Sequence, residues 1–317
     1  MPYTLALLLC LLGCSLTLAW ISSEHNDDDP EVFSARWQLA YESWQRKCKK
    51  YELPEQQLEV SPRIARGELA ESDMFPYQAA LLLQLRQGDA TQCGGSLLSL
   101  NYVLTAAHCL NDAESGEIYL GSNTYADTTA PQIFKVHTWN FNVFPGYLGF
   151  AGYHDLALIH LPHSATPSAE VQPIALALDF MQQSLLQGQL VSSSGWGALG
   201  DGMNSTLSPE ANLLHYVDVP VMEQERCTCY FLPGLVSVQR HICSDGRQGR
   251  GSCQGDSGGP LVYRWHNVSY LIGVTSFGST NGCEKGSPTV YTRITAYLDW
   301  IVGETDVQSP EQELKKF

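Results

Sequence analysis

Gly255-Asp256-Ser257-Gly258-Gly259-Pro260 sets one serine in a glycine-rich turn, directly ahead of the apolar pair Leu261-Val262. Glycines here let the backbone N–H groups of Gly255 and Ser257 point at one spot without side-chain obstruction, which is what an oxyanion requires. A serine hydroxyl is a poor nucleophile at neutral pH. It needs a base within hydrogen-bond reach, and that base needs a buried acceptor to fix its tautomer. Two more motifs supply such groups. Thr105-Ala106-Ala107-His108-Cys109 carries a histidine, and His154-Asp155-Leu156-Ala157-Leu158-Ile159 sets a carboxylate at the mouth of a buried apolar strand. The candidate catalytic set is therefore His108, Asp155 and Ser257.

Gly255-x-Ser257-x-Gly259 also satisfies the serine elbow of the α/β-hydrolases, and chain order separates the two readings. That fold places its histidine after the serine, and only His266 follows Ser257, nine residues later. The order His108, Asp155, Ser257 is that of the chymotrypsin-like class. The other histidines carry no motif. His160 and His163 could be read as a metal pair, but no Cys or carboxylate completes a ligand set at zinc-like spacing. No metal and no cofactor are expected.

Beyond these motifs, the 317 residues carry 18 Lys plus Arg against 33 Asp plus Glu, a formal charge of −15. From Ile64 onward the count is 12 against 24, so the acidity belongs mainly to that part. Such a surface does not attract a polyanion, and nucleic acid is excluded as a partner. With 44% hydrophobic and 16% charged residues, the chain has the composition of a folded globular protein. Residues 1–19 hold an apolar run, Leu5 to Leu18, and end Thr17-Leu18-Ala19. They read as a secretory signal, since about fourteen apolar residues fall short of the roughly twenty that span a membrane. No membrane partner is expected. Of the ten cysteines, Cys10 and Cys14 leave with the signal, and eight remain where disulfides persist.

Residues 20–63 read as a separate segment. A helix capped by Ser34 would align Trp37, Tyr41, Trp44 and Cys48 on one face, and Pro54 and Pro62 bracket an extended stretch ending at Arg63. From Ile64 the pattern changes to short apolar runs broken by Gly, Pro, Asn and Ser, as in an all-β protein. Val103-Leu104, Ile133–Val136, Leu156–Leu161, Val217–Val221, Leu271–Thr275 and Val290–Ile294 are expected strands, and Thr295–Val302 a late helix.

From Ile64 to about Val302 the sequence resembles the trypsin/chymotrypsin family of serine proteases, particularly its insect members. The resemblance rests on Cys93-Gly94-Gly95-Ser96-Leu97, Thr105–Cys109, Asp155–Ile159, Ser194-Gly195-Trp196-Gly197, Gly255–Val262 and Pro288–Tyr291, in family order. It implies two packed antiparallel β-barrels, roughly residues 64–180 and 181–303, with the site in the cleft between them. A C-terminal helix and a polar tail complete the peptidase part, 64–317. It implies bridges Cys93–Cys109, Cys227–Cys243 and Cys253–Cys283, although Cys229 gives the more usual loop length and the choice against Cys227 stays open. Cys48 would pair with whichever of the two is spare. It also implies activation by cleavage after Arg63 by a trypsin-like protease, the Ile64 ammonium then pairing with Asp256. The start Ile64-Ala65-Arg66-Gly67 departs from the family's Ile-Val-Gly-Gly at two positions.

The pocket positions carry over as Gly251, Gly278 and Thr289, and Ser276 would help surround the buried Asp155 and offer backbone to an extended substrate. Gly251 stands where a trypsin-like pocket holds an aspartate, and Thr289 where the family has glycine, so an uncharged apolar P1 side chain is expected. Asn204-Ser205-Thr206 and Asn267-Val268-Ser269 are glycan sequons. The implied function is a secreted, extracellular zymogen of a serine endopeptidase. Its partners would be protein or peptide substrates, an activating protease and proteinaceous inhibitors. The alternative is a catalytically silent binding protein on the same fold.

Overall fold

The computed structural model describes residues 30–51, 67–149, 152–181, 186–201, 212–279 and 282–310. The expected signal segment, the expected cleavage point at Arg63–Ile64 and the Asn204 sequon lie outside the described residues. The chain divides into two units, Met1–Glu52 and Leu53–Phe317.

In the first unit, α1 spans Pro30–Cys48 and is followed by a 3-10 turn, Lys49–Tyr51. Proline suits a first helical turn, where its missing N–H has no partner to lose. The helix thus begins before Ser34, which lies inside it instead of capping it. Spacings of four and three put Trp37, Tyr41 and Trp44 on one face. Their rings stack in series, at centroid distances of 5.1 and 5.5 Å. Among the described residues no helix is long and apolar enough to cross a membrane.

Among the described residues the second unit has fifteen strands. In chain order they are β1 (Glu68–Leu69), β2 (Gln78–Leu85), β3 (Ala90–Ser99), β4 (Tyr102–Thr105), β5 (Ala113–Leu120), β6 (Gln132–His137), β7 (Phe141–Val143) and β8 (Ala157–His160). There follow β9 (Ala175–Leu176), β10 (Leu190–Gly195), β11 (His215–Pro220), β12 (His241–Ser244), β13 (Pro260–Trp265), β14 (Val268–Phe277) and β15 (Thr289–Arg293). One sheet runs β6-β5-β2-β3-β4-β8-β7; the other runs β1-β11-β10-β13-β14-β15-β12. All pairings are antiparallel except β9 on β14. Two short strands from before residue 181, β1 and β9, thus pair with the second sheet, so the division near 180 is crossed in both places.

Burial follows from where each strand sits. On the edge strand β6 it alternates, with Phe134 and Val136 inward and Ile133 and Lys135 outward, the period-two signature of a half-covered sheet. β14 lies between β13 and β15 and is buried almost without break from Tyr270 to Ser276. The β13–β14 hairpin closes through His266 and Asn267, both at positive φ (+49° and +62°), the two-residue turn whose twist matches its strands. Asn267 is exposed at that tip. The late helix, α4, spans Leu298–Glu304, and the residues before it, Ile294–Ala296, form a 3-10 turn. Among the described residues the short helices α2, Ala107–Leu110, and α3, Gln224–Cys229, precede it.

Candidate active site

β4 and β8 are antiparallel, with Thr105 opposite Ala157. The segment leaving β4 and the segment entering β8 therefore emerge side by side, which brings together His108 and Asp155, 47 residues apart. His108 Nδ1 lies 2.8 Å from Asp155 Oδ2, and the His108 backbone N–H donates to Asp155 Oδ1 at 2.9 Å. The Ser276 hydroxyl, from β14 of the other sheet, donates to Asp155 Oδ2 at 2.6 Å. Thr292 Oγ1, on β15, donates to the Asp155 carbonyl at 2.9 Å. Asp155 is fully buried, and a buried carboxylate is tolerable only with such partners. The chain reaches it through His154, at φ +51°, whose carbonyl accepts the Leu156 N–H at 2.8 Å. His154 is held in that left-handed conformation by stacking on Phe144 and by a 3.1 Å hydrogen bond with Tyr297 Oη.

The serine turn docks on the same strand ends. Gly94 N–H donates to the Ser257 carbonyl at 2.7 Å, and Thr105 Oγ1 donates to the Gly94 carbonyl at 2.8 Å. Gly258 has φ +78°, and a Cβ there would sit 2.2 Å from Thr105 Oγ1 and 2.5 Å from the Gly94 carbonyl. Only glycine lets the serine turn come this close to the backbone leading into His108.

Asp256, beside Ser257, is 2% exposed. Its carboxylate accepts the Gly197 N–H at 2.7 Å and the Cys253 N–H at 2.8 Å. Burial nevertheless pushes its pKa up to about 6, outweighing these two bonds. Among the described residues no lysine or arginine pairs with it.

A cavity of about 390 Å³ opens beside Ser257. Ser252, Ser276, Gly278 and Thr289 are among its lining residues. Gly251 does not line it. Gly251 has φ +152°, and a Cβ on it would stand 3.0 Å from Thr289 Oγ1. Of the four expected substrate-binding residues, Ser276, Gly278 and Thr289 line this cavity, and Gly251 adjoins Thr289.

The sulfur pairs around the site are Cys93–Cys109, Cys227–Cys243 and Cys253–Cys283. The first joins β3 to the residue after His108, and both cysteines of the last line the cavity. Among the described residues two gatherings of metal-ligating side chains, Cys93/His108/Cys109 and Asp201/Cys253/Cys283, each contain one of these disulfides, so their sulfurs are not thiolates. His160 stacks on Tyr102 and His163 packs against Phe134, ring contacts that give both a packing role.

A family profile described as Trypsin matches residues 64–301. The chain belongs to the trypsin family. As a member it is a serine-type endopeptidase on the chymotrypsin-like fold of two curled antiparallel sheets. It is similar to brachyurin of Leptuca pugilator, at 35% identity over 77% of this chain and 99% of that one. It is similar also to collagenase of Hypoderma lineatum, at 34% identity over 77% and 88%. The solved structure of HL collagenase superposes with a TM-score of 0.64 at 33% identity, covering 77% of this chain and 99% of its own.

Several contacts of this trypsin-family site have no sequence signal. Ser193, Ser252 and Tyr291 form a hydroxyl chain beside the cavity, with Ser193 Oγ to Ser252 Oγ at 2.9 Å and Ser252 Oγ to Tyr291 Oη at 2.9 Å. Asp201 adds an exposed carboxylate to the lining, where Oδ1 accepts the Cys283 N–H at 2.8 Å. These residues come from four separate segments, and only their neighbours in space give them a role.

Proposed function

We propose that the chain is a secreted zymogen of a serine endopeptidase, activated by cleavage after Arg63, that cuts on the carboxyl side of uncharged apolar residues. The observation that carries this reading is the buried Asp155 carboxylate bonded to His108 Nδ1, with the Ser257 turn docked on the backbone leading to that histidine. An Nδ1–H donated to Asp155 leaves His108 Nε2 as the basic nitrogen. His108 Nε2 takes the Ser257 hydroxyl proton as Oγ attacks the scissile carbonyl, and Asp155 stays ionised to support the imidazolium. The N–H groups of Gly255 and Ser257 hold the tetrahedral oxyanion. The imidazolium then protonates the leaving amine, and a water repeats the sequence on the acyl-enzyme.

Asp256 supports the zymogen reading. A desolvated carboxylate without a cationic side chain is costly, and an Ile64 ammonium released by cleavage would neutralise it while fixing the loop that carries Gly255. Secretion is supported by the apolar residues 5–18 and by the disulfides, which persist in oxidising compartments. Cys227 is committed to Cys243, so the proposed bridge from Cys48 would run to Cys229 and would keep residues 20–63 attached after cleavage. A non-reducing gel of the cut protein tests this, and release of the segment would refute it. Asn204 and the exposed Asn267 are the glycan acceptors.

The P1 preference is supported by the uncharged Thr289 on the cavity wall and the uncharged Gly251 beside it. Asp201 is exposed and already engaged by the Cys283 N–H. The test is a peptide panel varied at P1, assayed on the Arg63-cleaved protein with Ser257→Ala as control. Cutting after Leu, Phe or Tyr over Arg and Lys is expected, and dominant cutting after Arg would refute the preference. No turnover by cleaved wild-type protein would favour the silent binding protein instead.

A further inference from the structure

Gln92 reaches from β3 of the first sheet to the loop beside Ser257 in the second. Its side-chain Nε2 donates to the Trp196 carbonyl at 2.7 Å. The same nitrogen lies 3.0 Å from where a side chain on Gly255 would begin. Trp196 belongs to a strip fastened to the serine loop at its next two residues. Gly197 N–H donates to Asp256, and Ala198 N–H donates to the Gln254 carbonyl at 2.6 Å.

That last bond decides an orientation. The Gln254–Gly255 peptide is planar and trans, so its carbonyl and its N–H point in opposite directions. Pinning the Gln254 carbonyl on Ala198 therefore aims the Gly255 N–H to the other side. Gly255 holds φ +96° in this arrangement, and its missing side chain leaves room for the Gln92 amide.

We propose that Gln92 is a positioning residue for the oxyanion donor Gly255. It clamps the Trp196 carbonyl, the clamped strip presents Ala198 N–H to Gln254, and that bond sets the direction of the Gly255 N–H. Gln92 touches no reacting atom in this role. The inference rests on the reading of Gly255 and Ser257 as oxyanion donors.

Gln92→Met keeps the length and removes the donor; Gln92→Glu keeps the shape and, ionised, cannot donate, and it serves if the first variant does not fold. Both are assayed on Arg63-cleaved protein with active sites counted by fluorophosphonate titration. Per active site, kcat falls about tenfold, a fraction of the roughly 10²–10³ that outright loss of an oxyanion donor costs. KM stays within about twofold, because an oxyanion donor acts chiefly in the transition state. Affinity for a peptidyl trifluoromethyl ketone, whose adduct carries the oxyanion, drops by the same factor as kcat, while affinity for the product peptide is unchanged. A lower titratable fraction with unchanged kcat per site would mean Gln92 only supports folding, and would overturn the proposal. Equal loss of ketone and product-peptide affinity would overturn it too. If wild-type protein with a free Ile64 terminus is not labelled at Ser257, it is the reading of the site that fails.

Discussion

Replacing Asp256 by Asn should remove a pH dependence of stability from the uncut chain. The carboxyl is fully buried, and its pKa stands at about 6 against an ordinary 3.8. Between those values the unfolded chain has released the proton and the native one still holds it. Native protein therefore binds more protons, and its stability falls as pH rises through this window. A rise from 3.8 to about 6 corresponds to about 3 kcal/mol, fully lost above the upper value. The assay is urea unfolding of Ser257→Ala protein, with and without Asp256→Asn, from pH 4 to 7.5. Subtracting the two curves cancels every other titrating group, and the difference should grow by about 3 kcal/mol against the carboxylate form as pH rises. After cleavage the sign reverses. An Asp256 paired with the Ile64 ammonium has a lowered pKa, so its contribution is present at neutral pH. It is lost as pH falls through the carboxyl pKa, or rises through the raised amino pKa. A difference curve that is flat for the uncut protein would refute the reasoning.

Other consequences are more local. Ser276→Ala deletes one of the hydrogen bonds to the buried Asp155 carboxylate and should cost about 1.5–3 kcal/mol, measured by urea unfolding. Gly251→Asp alone should not confer cutting after Arg, because the new side chain meets Thr289 Oγ1; Gly251→Asp with Thr289→Gly should, and a P1 panel reads both. His154→Asn should be tolerated at φ +51°, whereas His154→Val should cost about 1–3 kcal/mol of stability and lower kcat by displacing Asp155. Equal behaviour of the two His154 variants would show that the backbone there is not constrained.

The strand pattern and the three motifs were readable because each depends on local chemistry. Ile133, Phe134 and Val136 make a short β-branched and aromatic run on an edge strand, and glycines flank Ser257 because its turn must approach other backbone closely. Cys227 and Cys229 were not separable, since both lie within three residues of one another on α3 and only the position of β12 selects Cys227. Gly251 was assigned to the pocket by the family resemblance, and its close approach to Thr289 Oγ1 depends on a backbone conformation that no motif announces. The start of α1 was set by Pro30, a residue whose value at a first turn competes with the cap that Ser34 could have offered. Gln92 and Thr292 had no sequence signal at all. Their partners lie 104 and 137 residues away, and their roles exist only once the two sheets have packed.

The most direct test of the central claim is fluorophosphonate labelling before and after limited trypsin treatment, with the labelled residue and the new N-terminus identified by mass spectrometry. Labelling at Ser257 that begins only when cleavage after Arg63 exposes Ile64 is the predicted result. A clean Ile64 terminus with Ser257 unlabelled, or full labelling of the uncut chain, would contradict it.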